Sequence, residues 1–240
     1  MTLYLADAPA VEYWRRADPS AKTRARAATP FGQDRETPPF SASDLAALEE
    51  AGVGWLSEPI HLLAPDASSR RRCKRTKLHV CSHRLPERSF VKLSRHVMVA
   101  SPELTCLSIA PSTPFPLLVE FLYELCGRYR LPDGRGGDAT ELPPATTVAG
   151  IERFADKARG VRGAADVKRA LRYACDNSLS PMETDIAETM VFDPRMGGFG
   201  LEKPQLNPCF EVTRKNRRAL PQSAYLPDLF WPRANISVEY

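Results

Sequence analysis

The sequence predicts an α/β chain whose front part is an α+β module. Three observations carry this. Short apolar runs with two-residue alternation occur at 54–63, 77–82 and 90–100, the pattern of half-buried strands. Apolar residues at three- and four-residue spacing, Leu117, Leu118, Phe121, Leu122 and Leu125, mark a helix with one buried stripe. Two stretches, Ser101-Pro102-Glu103 and Ser180-Pro181-Met182-Glu183, begin further helices: Ser caps, Pro is tolerated at the first helical position, and an acid in the first turn suits the dipole. Hydrophobic residues at 43% and charged residues at 26% of 240 positions belong to a globular protein with enough apolar mass for a core.

In chain order, Leu3–Leu5 is a short strand and 8–16 a helix with Val11 and Trp14 on one face. Residues 17–40, rich in Ala, Pro, Arg and Thr, form a connection. A helix over 44–50 is expected to be capped by Ser43 and stopped at Gly52. The three alternating runs follow, then the helix opened by Ser101 and the one after Pro116, interrupted at Gly127. "LPDGRGGDATELPPA", residues 131–145, reads as a linker between a 1–130 module and a 146–240 part. Beyond it lie helices over 147–157 and 164–175, the helix opened by Ser180, and strands over 209–213, 225–231 and 235–240.

A net charge of +4 permits a nucleic-acid partner without requiring one. The basic positions are Arg70, Arg71, Arg72, Lys74, Arg75 and Lys77 in one run, and Lys168, Arg169 and Arg172 on a helix; each set is either a solvated surface or a phosphate contact. Six cysteines without a CxxC pair read as free thiols. The start has no signal-type apolar segment, and the run 115–125 is broken by Glu120 and Glu124, so a cytoplasmic location is expected.

Chemistry is concentrated in "YLPDLFWPRANISVEY", residues 225–240. A turn at Pro232-Arg233-Ala234-Asn235 sets Asp228 opposite Glu239, with Cβ atoms roughly 5 Å apart. Leu229, Trp231, Ile236 and Val238 then share the other face. Two carboxylates so placed repel unless a cation lies between them, and Mg2+ would suit their oxygens. The other reading is that the acids only solvate an exposed sheet face.

"SPMET" followed by "PDLFWPRANISVEY" resembles the endonuclease-like domain of the PD-(D/E)xK phosphodiesterase superfamily, in the branch similar to very-short-patch repair endonucleases. Ser180, Pro181, Glu183, Asp228, Trp231, Pro232, Val238, Glu239 and Tyr240 carry the match. It implies an incomplete restriction-endonuclease-like core of helix, strand, strand, strand, Mg2+-dependent hydrolysis of DNA, Asp228 and Glu239 as metal ligands, and Glu183 as an accessory acid. The superfamily's Lys, or its substitute, two places after the second acid falls beyond Tyr240. The resemblance therefore implies a shortened chain with impaired catalysis. "LHVCSHRLPERSFVKLSRHVMVASPE" is similar to the middle part of abortive-infection type IV antitoxins of bacterial defence. That likeness implies the second functional reading, a non-catalytic binder of DNA or of a partner protein.

His79, Cys81 and His83 alternate, with Cys73 and His96 nearby, but no zinc-site spacing is present, and ordinary strand residues are the favoured reading. No nucleophile elbow or phosphate-binding loop occurs.

Overall fold

Alternating apolar side chains in the front third build a six-stranded mixed sheet. The computed structural model describes residues 2–18, 26–27, 31, 40–66, 74–132, 138–212 and 224–240. Its strands are β1 (Leu3–Leu5), β2 (Arg26–Ala27), β3 (Ile60–Ala64), β4 (Thr76–Val80), β5 (Phe90–Lys92) and β6 (Val97–Ala100). They lie in the order β2-β5-β6-β1-β3-β4. β1 runs parallel to β6 and β3 parallel to β4, while β1–β3, β5–β6 and β2–β5 are antiparallel. The strand expected over 90–100 is two strands, because the Leu93 and Ser94 N–H groups both turn back to the Val97 carbonyl. The expected strand over 54–63 is confined to β3, whose Ile60, Leu62 and Ala64 are buried while His61 and Leu63 are partly exposed.

Seven helices are described: α1 (Ala8–Arg16), α2 (Ala42–Glu50), α3 (Pro102–Ile109), α4 (Phe115–Cys126), α5 (Val148–Lys157), α6 (Ala164–Ala170) and α7 (Pro181–Val191). The Ser-Pro starts behave as the sequence predicts: Ser101 Oγ accepts from Leu104 N and Ser180 Oγ from Glu183 N, each at 3.2 Å. For α2 the cap is Ser41 and not Ser43, because Asp44 reaches back to the Ser41 N–H at 2.9 Å. On α4 Leu118, Phe121, Leu122 and Leu125 are buried, but Leu117 is 53% exposed. α6 ends at Ala170, short of the expected 175.

α1 and α3 pack on the sheet, α4 packs on α3, and α5, α6 and α7 pack on α3 and α4, so one apolar core runs from Leu3 to Trp231. Gly163 permits the closest of these contacts: its φ is +89°, and a Cβ there would lie 2.0 Å from the Leu107 carbonyl oxygen of α3.

A buried polar knot ties the front helices together. Glu124, 0% exposed, accepts from Arg15 Nε at 3.0 and 3.2 Å and from the Leu131 N–H at 3.0 Å. Arg130, 1% exposed, lies in β7 (Tyr129–Arg130), which pairs with β8 (Thr140–Glu141). Its guanidinium donates to the carbonyls of Trp14, Gly127 and Pro143 at 3.0–3.3 Å. Of the expected 131–145 linker, residues 133–137 lie outside the described residues. Its described end is held by the Leu142 N–H on the Arg128 carbonyl and the Ala145 N–H on the Leu125 carbonyl.

The last sixty residues add α7 and two small sheets. β9 (Gln205–Leu206), β12 (Leu229–Trp231) and β13 (Ile236–Val238) form one, ordered β13-β12-β9; β10 (Phe210–Glu211) and β11 (Ala224–Tyr225) form the other. This corrects the expected strand order: β12 pairs with β9, and the 209–213 segment pairs with β11. The reason is burial, since Leu206 meets Leu229 in the core whereas Phe210 is exposed. The continuous strand expected over 225–231 divides at the same place. Among the described residues, no helix is long and apolar enough to cross a membrane.

Candidate functional site

The terminal hairpin has the register that its turn dictates. Leu229 pairs with Val238, Phe230 with Ser237 and Trp231 with Ile236, so Asp228 and Glu239 are opposed one step further along. The chains remain together there, because Tyr240 N donates to Asp228 Oδ2 at 3.0 Å. Leu229 and Trp231 are buried, and the Trp231 indole N–H donates to the Glu202 carbonyl at 2.7 Å. Ile236, expected on the packed face, is 55% exposed, since β13 is the sheet's edge. Asp228 is half-buried and Glu239 exposed.

Glu183 is placed beside this hairpin but spends its carboxylate on structure. Oε2 accepts from Leu179 N at 2.9 Å and from the Asn207 side-chain amide at 2.6 Å. Asn207 in turn donates its backbone N–H to the Asp228 carbonyl at 3.1 Å, and the Ser180 and Tyr240 hydroxyls lie 3.0 Å apart. Glu183 thus reaches the β12 strand through Asn207. Among the described residues, Glu183, Asp228 and Glu239 do not form a three-donor metal group.

The basic candidates divide. Arg70, Arg71, Arg72 and Cys73 lie outside the described residues. Lys74, Lys77 and Arg172 are exposed. Arg75 donates to Glu58 at 2.8 Å, Lys168 is paired with Asp156, and Arg169 lies 3.7 Å from Asp166 with its guanidinium over the Phe115 ring. Three of the six described cations are therefore already neutralised.

A different constellation lies on the front sheet, where a cleft of about 570 Å³ separates β4 and the end of β1 from α3 and the α5–α6 connection. Asp7, which follows β1, and His79 on β4 line it together with Lys77 and Arg162. His61 on β3 stands beside them, because the parallel register sets Leu63 against His79 and leaves His61 on the same face as its diagonal neighbour. His61 Nδ1 is 3.1 Å from both Asp7 Oδ1 and His79 Nε2, and His79 Nε2 is 3.8 Å from Asp7 Oδ2. Among the described residues this is the one group of three metal-donor side chains lying within 4.8 Å.

Asp7 holds its position at φ 58°, ψ −134°, a conformation costing a non-glycine residue about 1–3 kcal/mol. Its N–H donates to Ser108 Oγ at 3.2 Å and its Oδ1 accepts from Ala8 N at 3.0 Å, capping α1. Burial is the main cause holding the His79 pKa below the ordinary imidazole range; the Asp7 carboxylate opposes it, and His61, Lys77 and Arg162 add to it.

The sequence pointed to His79 only through Cys81 and His83. Those two line the same cleft, but the Cys81 thiol faces the His83 carbonyl, at 3.8 Å, and neither joins the group. Asp7 and His61 carried no local signal, being 54 residues apart in the chain. Comparison with protein-family models, curated proteins and solved structures finds no match to this chain.

Proposed function

We propose that the C-terminal unit is a restriction-endonuclease-like acid site acting on DNA phosphodiesters, with Asp228 and Glu239 as Mg2+ ligands and Glu183 as a positioning acid. The observation that carries this reading is the hairpin register, in which Leu229 pairs with Val238, so that the next positions outward are Asp228 and Glu239. The donor set fits the ion: Mg2+ takes one or two carboxylates and keeps several waters, leaving room for a phosphate oxygen. Bound there, Mg2+ would polarise the phosphodiester and make a coordinated water more acidic. Asp228 is oriented by the Tyr240 N–H, and Glu183 fixes Asn207 against the Asp228 backbone.

The test is Mn2+ binding by electron paramagnetic resonance alongside plasmid nicking in Mg2+. The reading predicts saturable Mn2+ binding and slow nicking, both lost in Asp228→Asn and Glu239→Gln. Binding and nicking that both variants leave unchanged would contradict it.

A second reading, a non-catalytic DNA- or partner-protein binder related to type IV antitoxins, is favoured by the commitment of the Glu183 carboxylate to Leu179 and Asn207. It predicts salt-dependent DNA binding without cleavage, weakened by Lys74→Ala and Lys77→Ala.

A further inference from the structure

We propose that Asp7, His61 and His79 form a binding site for a divalent transition-metal ion of the Zn2+ class, with its remaining coordination position open to the cleft and suited to an anionic oxygen ligand. The site is independent of the acid pair at the other end of the chain.

The separations are those of a coordination shell. Donors bonded at about 2.0–2.2 Å to a tetrahedral centre stand roughly 3.3–3.6 Å apart; here His61 Nδ1 lies 3.1 Å from His79 Nε2 and from Asp7 Oδ1, His79 Nε2 lies 3.8 Å from the other Asp7 oxygen, Oδ2, and one donor atom from each side chain falls within 4.8 Å of the others. A hydrogen-bonded cluster explains them less well. His61 Nδ1 offers either one proton or one lone pair, yet Asp7 Oδ1 and His79 Nε2 approach that atom equally closely. One proton can serve only one of them well, whereas a cation at their centre satisfies all three lone pairs. Asp7 is held in place from two sides, its N–H on Ser108 Oγ and its Oδ1 capping α1 at Ala8 N, and the same Oδ1 faces His61.

Two imidazoles and one carboxylate select a borderline metal over Mg2+ or Ca2+, which prefer all-oxygen shells. Three protein ligands leave a position free, the arrangement of metal sites that take up water or a ligand. Lys77 and Arg162 line the same cleft, so a doubly charged ion there with one carboxylate leaves a net positive pocket. Its free position therefore favours a phosphate or carboxylate oxygen.

Titration of the metal-free full-length chain with Co2+ reads both the stoichiometry and the coordination number from its visible absorption. The expected result is one tight equivalent with an intense tetrahedral or five-coordinate band, perturbed by inorganic phosphate. The affinity should fall by at least about 100-fold in His79→Ala, beyond the usual loss from removing an outer partner. Asp7→Asn keeps the cap and tolerates the positive φ, so it separates ligand loss from misfolding and should weaken binding comparably. Asp228→Asn should leave the band unchanged. Equal Co2+ affinity in wild type, His79→Ala and Asp7→Asn would overturn the metal site. A band insensitive to phosphate would overturn the open position.

Discussion

The terminal hairpin and the front sheet assemble their donor side chains in opposite ways. At the hairpin, two hard carboxylates are brought together by a single turn between adjacent strands at a sheet edge. In the front sheet, a mixed set is assembled around a cleft from two neighbouring strands, β3 and β4, and the residue that caps α1 just after β1. The first arrangement is local, with Asp228 half-buried and Glu239 exposed; the second is long-range, with all three side chains half-buried.

The largest expected effect comes from breaking the interior that supports the front. Arg130→Ala should cost about 3–5 kcal/mol in urea unfolding, since it leaves several buried carbonyls, those of Trp14, Gly127 and Pro143 among them, without their donor. Little change would mean that the knot is not what joins α1, α4 and β7. Next is a pH effect on the α7 face. Burial, with Glu120 and Asp185 nearby, pushes Glu188 up to about 8, and its buried Oε1 accepts no hydrogen bond among the described residues. The folded chain therefore holds a proton that the unfolded chain releases near the ordinary carboxylate value. Stability should fall as pH rises from about 4.5 to 8 and then level off. Glu188→Gln should remove that slope and raise stability by roughly 2–4 kcal/mol at pH 9.

Smaller effects sharpen the hairpin side. Leu206→Ala should cost about 2–3 kcal/mol, because it empties the contact with Leu229, whereas Ile236→Ala on the exposed edge should stay within about 0.5 kcal/mol. Equal losses would show the hairpin packed on both faces. Lys168→Ala, which removes an exposed ion pair, should change stability by no more than about 0.5 kcal/mol.

What could be read in the sequence was what a few neighbouring residues determine. Ser101-Pro102-Glu103 and Ser180-Pro181-Glu183 begin helices because cap, ring and acid act within one turn. The Asp228 to Glu239 register follows from a four-residue turn. The Leu206 to Leu229 pairing was illegible because a two-residue strand has no alternation to detect, and the longer 209–213 run competed for the same partner. The Asp7, His61 and His79 group was illegible for a topological reason: β3 and β4 are parallel neighbours whose connection includes residues 67–73, and β1 enters from the chain's start. No spacing encodes a diagonal across that sheet. Cys81 and His83 are the neighbours of His79 in sequence, but the fold pairs it with Asp7 and His61, its neighbours in space.

The most direct measurement is anomalous diffraction from crystals soaked in Mn2+ and Zn2+ together, recorded at both absorption edges. The account predicts Mn2+ between the Asp228 and Glu239 carboxylates and Zn2+ within bonding distance of Asp7, His61 Nδ1 and His79 Nε2. Carboxylates turned to opposite faces of the hairpin, or imidazoles that remain ion-free in excess Zn2+, would contradict it.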